Sequence, residues 1–159
     1  MFLIGRGSFP IQSKEMLTKD EIQKIADEVV KELGSDFEEK VYQEAFLAEL
    51  RIRAYEYDRE RTIPVLYKGQ QIGIVKADVV ARKDAEEVIL ELKVSPEDLK
   101  PNTKNELKAY LRAIEKSQPP RAGVKRTGFV VTFPCTSSST KKDRRAKATV
   151  DEVTVSDEF

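Results

Sequence analysis

Apolar positions recur along this chain with two periods, and the switching between them lays out its elements. After Thr18-Lys19-Asp20-Glu21, which reads as a capping box, Ile22, Ile25, Ala26, Val29, Val30 and Leu33 follow helical spacing, and Gly34 closes that helix. Ser35-x-x-Glu38 reads as a second box, opening a helix to about Ala54. Its apolar stripe is Phe37, Val41, Ala45, Ala48 and Ile52, widened by Tyr42, Phe46 and Leu50. From Tyr55 to Tyr67 the chain turns strand-like around Ile63-Pro64-Val65-Leu66-Tyr67. Pro64 lacks a ladder donor there, which suggests an edge strand or an irregular start. Lys68-Gly69 fits a two-residue hairpin turn into Gln70 and the next strand.

Two further strands, Ile74–Val80 and Val88–Val94, flank the polar turn Arg82–Glu87. Ser95-Pro96 ends the second, and Pro101 leads into Thr103-Lys104-Asn105-Glu106, a third capping box. Leu107, Tyr110, Leu111 and Ile114 then mark an amphipathic helix that stops before Pro119-Pro120. Gly128–Phe133 reads as a buried strand, and Val150, Val153 and Val155 as a last short one. A crossover through the third helix brings Gly128–Phe133 beside the hairpin, parallel to one of its strands. The pattern predicts one α/β domain over 18–155, with a mixed sheet and helices on its faces. Residues 1–17 read as a loose arm and residues 136–147 as a basic, mobile loop.

Charge content is high, 35%, yet Lys+Arg and Asp+Glu balance at 28 each, so the chain as a whole has no pull on polyanions. Any nucleic-acid surface must come from uneven distribution. Lys141, Lys142, Arg144, Arg145 and Lys147, with Lys125 and Arg126 before them and one acid, Asp143, among them, form a basic segment. They read either as a solvated loop or as phosphate contacts. With no histidine, a His-based triad, a zinc–histidine site and histidine proton shuttling are excluded, which leaves Asp, Glu, Lys, Tyr or metal-bound water. The single cysteine, Cys135, allows no internal disulfide and suits a reducing compartment. Met1-Phe2-Leu3-Ile4 is too short for a signal peptide or a membrane span, so the expectation is a soluble, intracellular, cytoplasmic protein with no membrane partner.

The central hairpin carries the candidate chemistry. Leu90, Leu92 and Val94 share one face of their strand and leave Glu91 and Lys93 on the other. A turn centred between Asp84 and Ala85 sets Asp78 opposite Glu91, with Cβ atoms about 5 Å apart. Facing carboxylates repel in apolar surroundings, and a hard divalent cation with oxygen ligands relieves them. Lys93 can reach the same place and stabilise developing negative charge. A Glu and a Lys at i, i+2 also describe a solvated sheet face, so spacing alone leaves both readings open.

Strand-Asp, strand-Glu-x-Lys and a following amphipathic helix together resemble the PD-(D/E)XK nuclease superfamily, and more closely its GxxExxY group. Leu33–Phe46 resembles the naming motif, with Glu39 and Tyr42 as its ExxY, though the leading glycine position falls on Asp36. Tyr67-Lys68-Gly69-Gln70, Ala77-Asp78-Val79-Val80 and Ile89-Leu90-Glu91-Leu92-Lys93 follow in the same order. The third helix has Glu106-Leu107-Lys108-Ala109-Tyr110 where many members have Gln-x-x-x-Tyr. The resemblance implies a restriction-endonuclease-like fold and Mg²⁺- or Mn²⁺-dependent hydrolysis of nucleic acid, DNA rather than RNA. It implies a metal held by Asp78, Glu91, the Leu92 carbonyl and Glu39, and Lys93 at the attacking water or the transition state. Glu106 and Tyr110 would meet the substrate; the capping box and the apolar stripe are their structural readings, and the helix macrodipole is that of Glu39. A homodimer or a targeting partner fits so small a domain. The alternative is a catalytically silent relative that binds nucleic acid or protein.

Overall fold

The structure, a computed structural model, describes residues 17–94, 103–135 and 147–154. The N-terminal arm up to residue 16 and most of the basic loop, including Lys141, Lys142, Arg144 and Arg145, lie outside the described residues.

Helix α1 spans Lys19–Leu33, with the Thr18 hydroxyl accepting from the Glu21 amide as its cap. It ends on Gly34, whose φ of 73° only glycine adopts at no cost. Helix α2 spans Glu39–Ile52. Its cap residue is Glu38, with no side-chain bond, so the expected Ser35 box does not form; the Ser35 hydroxyl turns to Asp36 instead. The reason is Asp36, whose φ of 74° takes the chain off the helical path between Ser35 and Glu38. Helix α2 stops two residues short of the expected end. Tyr55 N–H bonds to Leu50 O and Ala54 N–H to Arg51 O, a Schellman closure with Ala54 in the left-handed position glycine usually takes.

The inward face of α2 also departs from expectation. Tyr42, Phe46, Leu47 and Leu50 are buried, whereas Phe37, Val41 and Ile52 are exposed. Helical spacing fits both stripes; within the helix Tyr42 and Phe46 supply more apolar area than Val41 and Ala45, and they turn inward. Tyr42 stacks on Phe133 with centroids 4.7 Å apart, and its hydroxyl donates to Gly34 O and accepts from Phe37 N–H, pinning the α1–α2 turn.

Five strands follow: β1 Glu56–Tyr67, β2 Gln70–Lys83, β3 Glu86–Val94, β4 Lys125–Phe133 and β5 Thr149–Val153. They form one sheet in that order, antiparallel except for β3 and β4, which run parallel across α3 (Thr103–Ser117). Lys68 and Gly69 both have positive φ, as a type I′ hairpin requires. The expected mixed α/β sheet and parallel crossover are therefore present.

Helices α1 and α2 cover one face of the sheet, packing on Val79, Ala81, Leu90, Leu92, Phe129 and Val131. Leu17, placed in the arm by its lack of periodicity, belongs to this core, and its amide donates to Glu86 at 2.8 Å. Helix α3 covers the other face through Leu107, Leu111 and Ile114, against Val80, Ile89 and Val130. Gly128 lets α3 settle onto β4: a Cβ there would stand 3.1 Å from Leu111 and 3.2 Å from Leu107. Among the described residues no helix is long and apolar enough to cross a membrane.

Candidate active site

The site forms where β2 and β3 part. Their register runs Lys83↔Glu86 to Val79↔Leu90, a two-residue turn at Asp84-Ala85, and the next step would pair Asp78 with Glu91. Main-chain pairing stops there and side chains replace it. The Leu92 amide donates to Asp78 Oδ2 at 3.0 Å, and the Asp78 amide donates to Glu91 Oε1 at 3.4 Å. Each acid thus satisfies a backbone N–H near the other, which keeps both carboxylates at the fork.

Two features fix this geometry. On β3 the period of two holds: Leu90 and Leu92 face α1 and α2, and Ile89 faces α3, so Glu91 takes the α3 side. On β2 the alternation breaks. Val79 packs toward α1 and α2 and Val80 toward α3, but beyond Asp78 it is Ala77 and Val75 that join the α3 side. The same break occurs in β1, where Glu60, at φ 46°, falls between Arg59↔Val79 and Arg61↔Ala77, across from Asp78. Irregularities of this kind next to active sites re-aim a side chain. Nothing in the residue type of Glu60 announces a positive φ, so the sequence carries no signal for it.

Glu91 is 5% exposed and Asp78 half-buried. Burial, first, and the adjoining Asp78 charge push the Glu91 carboxyl up to about 8, while Lys93 pulls the other way. That carboxyl therefore holds its proton to a higher pH than an ordinary glutamate. Helix α3 brings in Tyr110, half-buried, and Glu106, exposed and one turn before it. Burial and then the negative charges of Glu91, Glu106 and Asp78 raise the Tyr110 hydroxyl above its usual value, which puts it in the field of all three acids. Asp78, Glu91, Lys93 and Tyr110 thus come together, with Glu106 at the edge.

Glu39 lies in the first turn of α2, where it accepts from Gln43 Nε2 at 3.2 Å. Among the described residues no group of three Asp, Glu or Cys is gathered as a metal site. Two close carboxylates nevertheless suit a hard cation: their oxygens are the preferred donors, and their mutual repulsion is what a divalent ion removes.

A five-stranded mixed sheet between helices, with Asp, Glu-x-Lys and a helical Tyr converging at a strand fork, is the architecture of a nuclease fold. The sequence matches the PD-(D/E)XK nuclease superfamily over residues 16–144, and the chain belongs to that superfamily. No curated protein matches it.

Proposed function

We propose that this protein hydrolyses phosphodiester bonds in nucleic acid, DNA rather than RNA, with Mg²⁺ or Mn²⁺ held by Asp78, Glu91 and the Leu92 carbonyl. The observation that carries this reading is the crossed pair of carboxylates at the β2–β3 fork, beside Lys93. A cation held there would supply a water of lowered pKa and shield charge on the phosphate. To serve as its ligand, Glu91 would give up the proton that burial and the Asp78 charge keep on it. Lys93 offers an ammonium to the negative charge that grows on the phosphoryl oxygens. Tyr110, whose pKa is raised by burial and then by its acidic neighbours, is a hydroxyl donor at the rim, able to orient a phosphate oxygen. Glu39, the acid in the first turn of α2, would complete this set as the resemblance implies. Within the superfamily, the Leu33–Phe46 segment supports membership of the GxxExxY group.

The test is cleavage of supercoiled and linear DNA by the purified chain, with Mg²⁺ and with chelator. Activity that needs the ion and disappears in both Asp78→Ala and Lys93→Ala supports the reading. Cleavage by Asp78→Ala at the wild-type rate, or none by the wild type on DNA or RNA, would sink it.

A further inference from the structure

The β1–β2 hairpin runs on past the sheet. Strand β3 pairs with β2 from Val79 onward, leaving residues 61–77 as a two-stranded ribbon beyond the fork. Its face toward α3 is covered, by Ile63 and Ala77 buried and by Val65 and Val75 packed against them. The opposite face and the tip are open. Tyr67, Ile72 and Ile74 are 59%, 66% and 55% exposed, large values for apolar side chains, and Gln70 and Gln71 are exposed beside them.

The ribbon is locally basic within a chain that is neutral as a whole. No acid occurs from Arg61 to Ala77, although acids and bases balance at 28 each overall. Arg61 is engaged with Asp58 and Glu87, but Lys68 and Lys76 are exposed and enter no ion pair among the described residues. Lys68 instead lies over the Tyr67 ring at 5.5 Å. Lys76 stands two residues from Asp78 on the same strand.

We propose that this ribbon is a docking element for a nucleic-acid duplex, with Lys68 and Lys76 on phosphates and the Tyr67, Ile72 and Ile74 surface lying in a groove. A two-stranded β-ribbon has the width of the major groove, and apolar side chains can also wedge into the minor groove. At about 3.4 Å per residue the tip reaches roughly 27 Å from Asp78, or about eight base pairs along a duplex. A second copy of the chain is a poorer occupant. Two-fold self-pairing sets the same patch against itself, and this patch has lysines with no acid to meet them. The inference rests on the nuclease reading for the identity of the polyanion.

The test uses the full chain with a fluorescent DNA duplex, reading binding by anisotropy in chelator across a salt series and cleavage of the same duplex in Mg²⁺. The double variant Lys68→Glu/Lys76→Glu should bind about tenfold more weakly or worse, with a log–log salt slope shallower by about two. The pair Ile72→Ser/Ile74→Ser should weaken binding and leave the slope unchanged. Both variants change exposed positions and should keep the wild-type melting temperature. Wild-type affinity in both variants, or no duplex binding by the wild type, overturns the ribbon. So does a wild-type dimer that Ile72→Ser/Ile74→Ser splits without loss of binding. If the wild type cleaves while the variants bind normally, the ribbon fails alone. If it binds through the ribbon but never cleaves, the nuclease reading fails alone.

Discussion

Glu87 and Glu91 are the same residue on the same face of the same strand, four residues apart, and both are buried, at 8% and 5% exposure. Their neighbours make them opposites. Glu87 receives the Arg126 guanidinium at 2.7 Å and Arg61 at 3.5 Å, and Arg126 is itself anchored to Glu115 and the Gln118 carbonyl. The chain of ions runs on through Asp58 to Arg82, whose hydrogen bond holds the Asp58 carboxyl below the usual carboxylate range. Glu91 has another carboxylate where Glu87 has arginines, and its proton stays on to about 8. A buried charge that is fully paired is architecture. A buried acid set beside a like charge costs stability, and such arrangements concentrate where a ligand cancels the charge.

The sharpest break between the two ends is in activity. Asp78→Ala should lower Mg²⁺-dependent cleavage by at least about a thousandfold, since the several kcal/mol a metal supplies is worth that many decades. Removing Glu87 at the other end should leave cleavage chemistry in place but cost about 1–3 kcal/mol in denaturant unfolding, because Glu87→Ala leaves the buried Arg126 guanidinium with only Glu115 and the Gln118 carbonyl. A stability loss under 1 kcal/mol there would mean that the network is not what holds this end.

The pH response should report on Glu91 directly. The folded Glu91 carboxyl sits at about 8, above its ordinary 4.5, so the folded state binds more protons than the unfolded chain between those values. Without metal, stability should therefore be greatest near and below pH 4.5 as far as this group is concerned, and fall as pH rises toward 8. In Glu91→Gln that fall should vanish, so the melting-temperature gap between variant and wild type should open in the variant's favour from pH 5 to pH 9. Mn²⁺ affinity by calorimetry should run the other way, weakening by up to about tenfold per pH unit below 8 as the ion competes with that proton. A pH-independent affinity would contradict the proposed ligand set. The smallest effect belongs to an exposed pair used as a baseline: uncoupling Lys104 from Asp151, 3.6 Å apart, should cost no more than about 1 kcal/mol in a double-mutant cycle.

How much of this was written in the sequence follows from the distance between the residues involved. The hairpin is local: a two-residue turn and a period of two suffice to carry Asp78 to Glu91 and to put Glu91 and Lys93 opposite Leu90 and Leu92. Capping and glycine chemistry likewise fixed α1 from Thr18 to Gly34. The inward face of α2 was not legible, because two stripes satisfied the same period and only packing on Phe133 and the sheet chose Tyr42 and Phe46. The break at Glu60 and Asp78 was hidden too, since a positive φ at glutamate is imposed by the strands around it. Most of all, which buried glutamate would be neutralised depended on arginines from β1 and β4, 26 and 39 positions away, that only the folded sheet brings to Glu87 and withholds from Glu91.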